Sequence, residues 1–306
     1  MKFKKLGLLY KLPLLGLGDY GVSHTSTPRA IHIKDDIFRI YFSSRDEKNR
    51  SSVFFIDIDI IKKDVFYENH NPALTFGDDR TFYPDGISLG DIIESDNGRF
   101  FTFMGWNNPE DNHWFGELGL ARILDDGSLE VVGDKSQPTL GVDMIDPISL
   151  SYPAIIKKDS TYEMWYGSTV SWKAQDNEEM VHIFKQAVST NGINWTKTRT
   201  TFPFNSGVMQ ALSSPTFFEF RSEKHMLFSY RGDGSQTYRI GRAVYSDVDE
   251  KWLLVTNQPV VDISNEGWDS EMVEYPFSFE HKGKIYLLYN GNGFGKSGIG
   301  IGYITE

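Results

Sequence analysis

The sequence contains no cysteine among its 306 residues. Without cysteine the chain cannot form disulfides, Cys-ligated zinc sites or iron–sulfur clusters, and it cannot use a thiol nucleophile. Positive charge is also scarce, because 31 Lys and Arg residues are outnumbered by 42 Asp and Glu residues and the formal net charge is −11. Nucleic acids and anionic membrane surfaces bind cationic faces, so this balance argues against both as partners.

Long apolar runs are missing as well. No stretch reaches the roughly 18 residues that a membrane-spanning helix needs. The apolar segment from Leu6 to Leu17 follows three lysines, as in a signal peptide, but Lys11 and Pro13 interrupt it and no small-residue cleavage site follows cleanly. We therefore expect no membrane span, no signal peptide and a cytoplasmic location. No residue spacing predicts a metal site or a bound cofactor.

What the chain does contain is an internal repeat. Four prolines head similar apolar segments, and a glycine heads a fifth; these heads are Pro28, Gly90, Pro153, Pro215 and Pro276. Two residues before each head stand Ser26, Ser88, Ser151, Ser213 and Glu274, at intervals of 62, 63, 62 and 61 residues. A fixed period of this length is typical of solenoids and propellers.

Each repeat has the same internal pattern. A first strand follows the head, a polar turn comes next, and an aromatic second strand and a third strand follow, as in PAIIKK, KDS, YEMWYGS and VHIFKQAVS. Helical periodicity is absent over any useful length, and 14% of the residues are aromatic, which suits strands. The sequence therefore predicts an all-β chain with about four strands in each repeat.

Five such units predict a five-bladed β-propeller in a single domain. The fifth unit ends after its third strand, and the N-terminal segment 4–12 (KKLGLLYKL) supplies the missing strand and closes the ring. The predicted blades cover residues 23–80, 81–145, 146–208, 209–267, and 268–306 together with 4–12. A pair of β-sandwiches is the alternative fold, and the regular period argues against it.

In a propeller, the residues just before the first strands converge at one mouth of the central channel. The acidic residues in these heads are Asp85 in the second unit and Asp269, Glu271 and Glu274 in the fifth. Carboxylates that share a pocket repel each other, so one of them holds its proton, as acid/base catalysis on a glycosidic bond requires. We predict catalytic roles for Asp85, Asp269, Glu271 and His24. Asp85-Gly86 and Asp269-Ser270 are also ordinary turn sequences, which is the structural alternative.

The same mouth offers residues suited to a sugar. Aromatic faces stack on the C–H faces of sugar rings, and arginines hold carboxylates or phosphates through two hydrogen bonds. The predicted substrate-binding residues are Arg45, Trp106, Tyr230, Arg231, Trp268, Glu274, Tyr275, Asn290 and Asn292. Packing between blades is the alternative role for any one of the aromatic residues.

The blade pattern resembles the five-bladed glycoside hydrolases of the arabinanase, xylosidase and invertase group (families 32, 43 and 68) over nearly the whole chain. That resemblance implies acidic residues at the first three heads, but here Asp85 alone matches, because the first and third heads carry Ser26 and Ser151. The segments SHTSTP, FYPDG, SYRG, YRIG, EGWDSEM and LYNGNGFGKSG are similar to uncharacterised bacterial propeller proteins. Proteins of that kind are associated with surface-polysaccharide assembly, which implies a glycan or nucleotide-sugar ligand.

Two hypotheses follow from these patterns. In the first, the protein is a carbohydrate-active enzyme in which Asp85 pairs with Asp269 or Glu271, or a sugar-transfer enzyme whose arginines hold a donor phosphate. In the second, it is a glycan-binding propeller without catalysis, because the usual acids are missing at two heads.

Overall fold

The computed structural model describes residues 1–95, 98–110, 113–172, 180–233, 236–256 and 258–306. Within these ranges the chain consists of β-strands, turns and one short helical turn, so the predicted all-β class is confirmed. No helix in the described ranges is long and apolar enough to cross a bilayer.

The strands form consecutive antiparallel groups. An N-terminal strand, β1 (Lys2–Tyr10), precedes them. The next group comprises β2 (Ser23–Lys34), β3 (Ile37–Arg45), β4 (Ser51–Asp59) and β5 (Val65–Glu68). It is followed by β6 (Gly86–Ser95), β7 (Gly98–Asn107), β8 (Phe115–Ile123) and β9 (Leu129–Val131). Each strand pairs with the next within its group, as expected when short polar turns connect amphipathic strands.

The second half of the chain repeats this arrangement. One group comprises β10 (Ser149–Lys158), β11 (Thr161–Ser171), β12 (Val181–Ser189) and β13 (Thr196–Thr201). The following group comprises β14 (Ala211–Phe220), β15 (Glu223–Arg231), β16 (Arg239–Ser246) and β17 (Lys251–Val255). The last strands are β18 (Glu274–His281), β19 (Lys284–Asn290) and β20 (Ile299–Thr305), and the helical turn α1 (Asn292–Gly295) lies between β19 and β20. β1 pairs antiparallel with β20, so the first and last strands of the chain share one sheet.

The first strands of the groups lie together. β2 contacts β6 and β18, β10 contacts β6 and β14, and β14 contacts β18. The buried side chain of Arg29 on β2 joins three of these strands, since it donates to the carbonyl oxygens of Pro28 and Gly90 and, over 3.2 Å, to Oγ of Ser214. These strands therefore surround a common space.

The apolar core lies between neighbouring groups rather than within one of them. One cluster packs Phe42 and Phe54 of the first group against Leu288 and Ile301 of the last. Another packs Trp165 of β11 against Phe228 of β15 and its neighbours. Burial of these faces stabilises the molecule by about 25 cal/mol for each Å² of apolar surface removed from water, and it fixes the mutual orientation of the groups.

Candidate functional site

Four of the first strands share the same irregular backbone conformation. β2, β10, β14 and β18 each contain a bulge, and the residue before the head proline has a left-handed backbone conformation: φ is 51° at Thr27, 41° at Tyr152, 49° at Ser214 and 54° at Tyr275. Such values are strained for residues other than glycine, above all before proline. Bulges re-aim the neighbouring side chains, and here they direct polar residues toward the common space.

A cavity of about 410 Å³ opens at this position. Residues from every strand group line it, and they include Ser26, Thr27, Ser43, Arg45, Ser51, Ser88, Met104, Trp106, His113, Trp114, Tyr152, Trp172, Met180, His182, Ser213, Arg231, Tyr238, Glu274, Tyr275 and Phe294. A volume of this size suits one or two sugar rings or a small organic ligand.

Glu274 is the one carboxyl residue among the described residues that line the cavity. Its side chain is buried, Ser213 Oγ lies 3.5 Å from Oε1, and Oε2 has no hydrogen-bond partner. Burial raises the pKa of Glu274 well above its usual value and outweighs the opposing effects of Ser213, Arg231 and Arg45. Burial at the cavity wall therefore favours the protonated, neutral form of this carboxyl group.

Three tyrosines surround this acid. The hydroxyls of Tyr152 and Tyr275 lie 3.3 Å apart, and Tyr238 also lines the cavity. Burial raises the pKa of Tyr152 to about 12, and it also raises the pKa of Tyr238 and Tyr275. All three hydroxyls therefore remain protonated and can donate hydrogen bonds to a ligand.

His182 lies at a different part of the cavity wall. Its buried ring makes hydrogen bonds with Oγ of Ser151 at 2.6 Å and Oγ1 of Thr169 at 2.7 Å. Burial lowers the pKa of His182 to about 3, so the ring is neutral at physiological pH. It orders two hydroxyls and adds no charge to the cavity.

Aromatic residues form another part of the wall. Trp106 is fixed by a hydrogen bond of 3.0 Å from Nε1 to Oγ of Ser51. The ring of Trp172 stacks on His113, with centroids 4.5 Å apart, and meets Trp114 edge-on at 5.2 Å. This wall comes from the second and third strand groups and offers flat apolar faces of the kind that contact sugar rings.

Of the residues predicted from the sequence, five line the cavity: Arg45, Trp106, Arg231, Glu274 and Tyr275. Glu274 was identified because it occupies the same position in its repeat as Ser26, Ser88 and Ser213, and these three serines also line the cavity. One of the predicted carboxyl residues and both of the predicted arginines therefore line the same cavity.

The three other predicted acids do not line the cavity in the described structure. Asp269 is buried, and its Oδ2 accepts hydrogen bonds from Lys5 Nζ at 2.7 Å and from the Tyr289 hydroxyl at 3.1 Å. Asp85 accepts from the backbone N–H of Asn108 at 2.7 Å, and Glu271 is exposed. Asp269 is thus held by Lys5 of β1 and Tyr289 of β19, and we assign it no catalytic role.

The remaining predicted residues have local roles in the last strands. The Asn290 side chain is fully buried and bonds to the backbone of Thr25, Thr27 and Gly298, so it ties β19 to β2. Asn292 accepts hydrogen bonds from the backbone N–H groups of Glu271 and Met272.

The other aromatic candidates pack within the sheets. The ring of Trp268 lies 5.3 Å from that of Tyr289, and that of Tyr230 lies 6.4 Å from that of Phe228. His24 is half-buried, and Nδ1 lies 2.9 Å from Oγ of Ser23.

Sequence reasoning missed Tyr238 and His182 as cavity residues. His182 lies on β12 and Tyr238 directly precedes β16. Nothing in the sequence around either residue distinguishes it from the residues that pack in the core. Among the described residues, no group of three or more His, Asp and Glu side chains could hold a metal ion.

Comparison with solved structures places this geometry in a known fold. A glycoside hydrolase superposes with a TM-score of 0.75 at 13% identity, covering 99% of this chain and 91% of that one. A structure from the GH130 family, which contains glycoside hydrolases that target β-1,2-mannosidic linkages in Candida mannan, has a TM-score of 0.68 at 16% identity and covers 94% and 85%. A thermostable family-43 glycoside hydrolase has a TM-score of 0.67 at 14% identity and covers 94% and 92%. The chain therefore has the propeller-type fold of these enzymes.

Sequence comparison finds relatives of the same length. No family model matches the chain. The uncharacterised proteins MT1551 and Rv1502 of two Mycobacterium tuberculosis strains are each 32% identical to it over 308 residues, covering 100% of both chains. At that identity over the full length, the chain belongs to the same family as these two mycobacterial proteins, and its fold is that of the glycoside-hydrolase propellers.

Proposed function

We propose that this chain is a glycoside hydrolase-like, carbohydrate-active protein that binds a sugar in the cavity and uses Glu274 as its proton donor. The observation that carries the proposal is the buried carboxyl group of Glu274, which lines the cavity and whose Oε2 has no hydrogen-bond partner in the protein. A carboxyl group that retains its proton is suited to general acid catalysis at a glycosidic oxygen.

We also propose that the strand groups are the five blades of a closed ring. The blades would cover about residues 23–80, 81–145, 146–208, 209–267, and 268–306 with 4–12. Three observations support closure: the pairing of β1 with β20, the contact between β18 and β2, and the hydrogen bonds from Asn290 to the backbone of β2. In such a ring the cavity is the mouth of the axial channel.

The proposed reaction is hydrolysis of a glycosidic bond. The carboxyl proton of Glu274 passes to the glycosidic oxygen, the bond from that oxygen to the anomeric carbon breaks, and the electron pair stays on the departing alcohol. A water molecule then adds to the anomeric carbon, and the proton that it loses passes to the Glu274 carboxylate and restores the acid. The tyrosine hydroxyls hold the sugar oxygens, and Trp106 supports one face of the ring.

A glycan-binding role without turnover is a second candidate. The observation that favours it is that Glu274 is the one carboxyl residue among the described lining residues, whereas glycosidases ordinarily use two carboxyl groups. The two candidates share the ligand and the cavity and differ in whether bonds are cleaved.

The first test is a screen of oligosaccharides that includes bacterial surface glycans. Binding is measured by calorimetry, and cleavage by the appearance of new reducing ends. We expect Trp106→Ala to weaken sugar binding about 2- to 10-fold, since aromatic contacts contribute about 0.5–1.5 kcal/mol. Trp106→Phe should retain most of the affinity.

The matched control is Tyr67→Ala, which removes an exposed aromatic ring on β5. It should leave sugar binding unchanged. Sugar binding that is insensitive to Trp106→Ala would contradict the cavity as the ligand site. Binding with no cleavage of any bound sugar would favour the second candidate.

A further inference from the structure

The charge inside the cavity is opposite to the charge of the chain. The formal net charge is −11, yet the described lining residues include Arg45 and Arg231 and, among acidic residues, Glu274 alone. Burial favours the protonated form of Glu274, and in that form it does not offset the two guanidinium groups. A cationic interior in an acidic protein concentrates anions and repels cations.

The two arginines come from the two strand groups whose first strands contact β18. Arg45 ends β3 and Arg231 ends β15, and both act electrostatically on Glu274 of β18. Both arginines and Glu274 therefore line the same cavity.

Contacts with the protein orient both guanidinium groups. Arg45 Nη1 donates to Oδ1 of Asn49 at 2.8 Å, and the guanidinium carbon of Arg231 lies 5.6 Å from the ring centre of Tyr238. An oriented arginine loses less side-chain freedom when it binds a ligand, and its planar fork matches a carboxylate or a phosphate.

His24 lies near two cations. Burial, together with the charges of Arg45 and Lys296, lowers the pKa of His24 to about 4. Lys296 is exposed beside α1. Trp106, Trp114 and Trp172 line the same cavity and come from other strand groups than the two arginines. These uncharged aromatic faces could contact a sugar ring whose anionic group binds the arginines.

We propose that the ligand of this cavity is a sugar bearing an anionic group, a carboxylate or a phosphate, which Arg45 and Arg231 hold together beside Glu274. This inference rests on the proposed function for the sugar, and it specifies the substrate class. It also agrees with the proposed chemistry, because a positively charged transition state between two arginines is unfavourable unless the ligand itself brings negative charge.

The test compares ligands that share one ring. Calorimetry measures binding of glucose, glucuronic acid, glucose 1-phosphate and UDP-glucose, with the galactose and mannose series in parallel and inorganic phosphate as the probe without a sugar. We expect at least one anionic member of a series to bind about 10-fold or more tightly than its neutral sugar. Preference for the uronic acid identifies a carboxylate ligand, and preference for either phosphate compound identifies a phosphorylated or nucleotide-linked sugar.

Variants connect that preference to the arginines. Arg45→Gln and Arg231→Gln should each weaken binding of the preferred anion about 10-fold or more, which corresponds to loss of a charge-assisted hydrogen bond of about 1.5–3 kcal/mol. Binding of the neutral sugar should change little. Arg199→Gln removes the same charge from an exposed residue on β13 that does not line the cavity, and it should have no effect.

Two results separate this inference from the proposed function. Neutral sugars that bind as tightly as every anionic counterpart, with no effect of either arginine variant, would overturn the inference and leave a sugar-binding cavity. Arginine-dependent binding of inorganic phosphate without binding of any sugar would overturn the proposed function while the anion site stands.

Discussion

Glu274→Gln is expected to reduce the turnover number about 10²- to 10⁴-fold, the range that general acid catalysis contributes, while sugar binding is retained. Glutamine has nearly the same shape as the protonated acid and preserves the contact with Ser213, but it cannot transfer a proton. The measurement is kcat on the best substrate of the screen, with binding followed separately by calorimetry.

Glu271→Gln is the matched comparison for this variant. It removes one carboxyl from the segment that leads into β18, but Glu271 is exposed and does not line the cavity in the described structure. Unchanged turnover in Glu271→Gln beside a large loss in Glu274→Gln would support the proposed assignment. A large loss of turnover in Glu271→Gln with full activity in Glu274→Gln would contradict this assignment. It would favour the pair of Asp85 and Glu271 that was predicted from the sequence.

Glu274→Gln is also expected to change the stability of the fold. The pKa of Glu274 is higher in the folded state than in the unfolded chain, so the folded state binds the proton more tightly. The carboxyl therefore destabilises the fold increasingly as pH rises above the unfolded value of about 4.3 and approaches the folded pKa. Glu274→Gln should unfold like the wild type at pH 4 and should be more stable than the wild type at pH 8, as judged by chemical denaturation. A variant less stable than the wild type at both pH values would contradict this account.

Asp146→Ala is expected to cause the largest loss of stability, about 3–5 kcal/mol, because it leaves buried cations without their partner. Asp146 is fully buried just before β10. Its carboxylate lies 2.9 Å from the Nζ atoms of Lys185 and Lys197, and it accepts hydrogen bonds from the hydroxyls of Tyr166 at 2.9 Å and Ser168 at 2.6 Å. These contacts fix the start of the strand that carries Tyr152 into the cavity.

The pH dependence of this cluster has the opposite sign to that of Glu274. Burial alone would raise the pKa of Asp146, but hydrogen bonds from Ser168, Lys185 and Lys197 outweigh it and lower the pKa below the usual value. The stabilisation is therefore present above the unfolded pKa of about 3.9 and is lost as pH falls through the folded pKa.

Asp143→Ala is the control for Asp146→Ala. Asp143 also lies 2.9 Å from Lys197 Nζ, but its side chain is 47% exposed. Chemical denaturation at pH 7 should show a loss of at most about 1 kcal/mol for this exposed pair. Equal losses for the two variants would show that burial of Asp146 adds nothing.

The strand arrangement could be predicted from the sequence because it follows from local pattern. The head prolines recur at nearly constant intervals. Ser213 and Glu274 each stand two residues before a head proline, and this shared position indicates that both side chains face inward. Arg45 and Trp106 were found for a similar reason, since Arg45 is the last residue of β3 and Trp106 the next-to-last residue of β7, the second strands of their groups.

The acid assignments could not be predicted in this way, because they depend on partners far away in the chain. Asp269 meets Lys5, which is 264 residues distant, and that ion pair removes it from the list of reactive groups. His182 and Tyr238 reach the cavity only because the strand groups pack around a common space, and nothing in their neighbouring residues indicates it.

The protonation of Glu274 is the claim on which the mechanism depends, and carbon-13 NMR of the glutamate carboxyl groups measures it directly. In protein labelled at the glutamate Cδ position, the resonance that disappears in Glu274→Gln is that of Glu274. The account predicts that at pH 6 this resonance keeps the position of a protonated acid, while those of exposed glutamates have moved to the carboxylate position. A Glu274 resonance that has already titrated with the exposed glutamates would contradict the account.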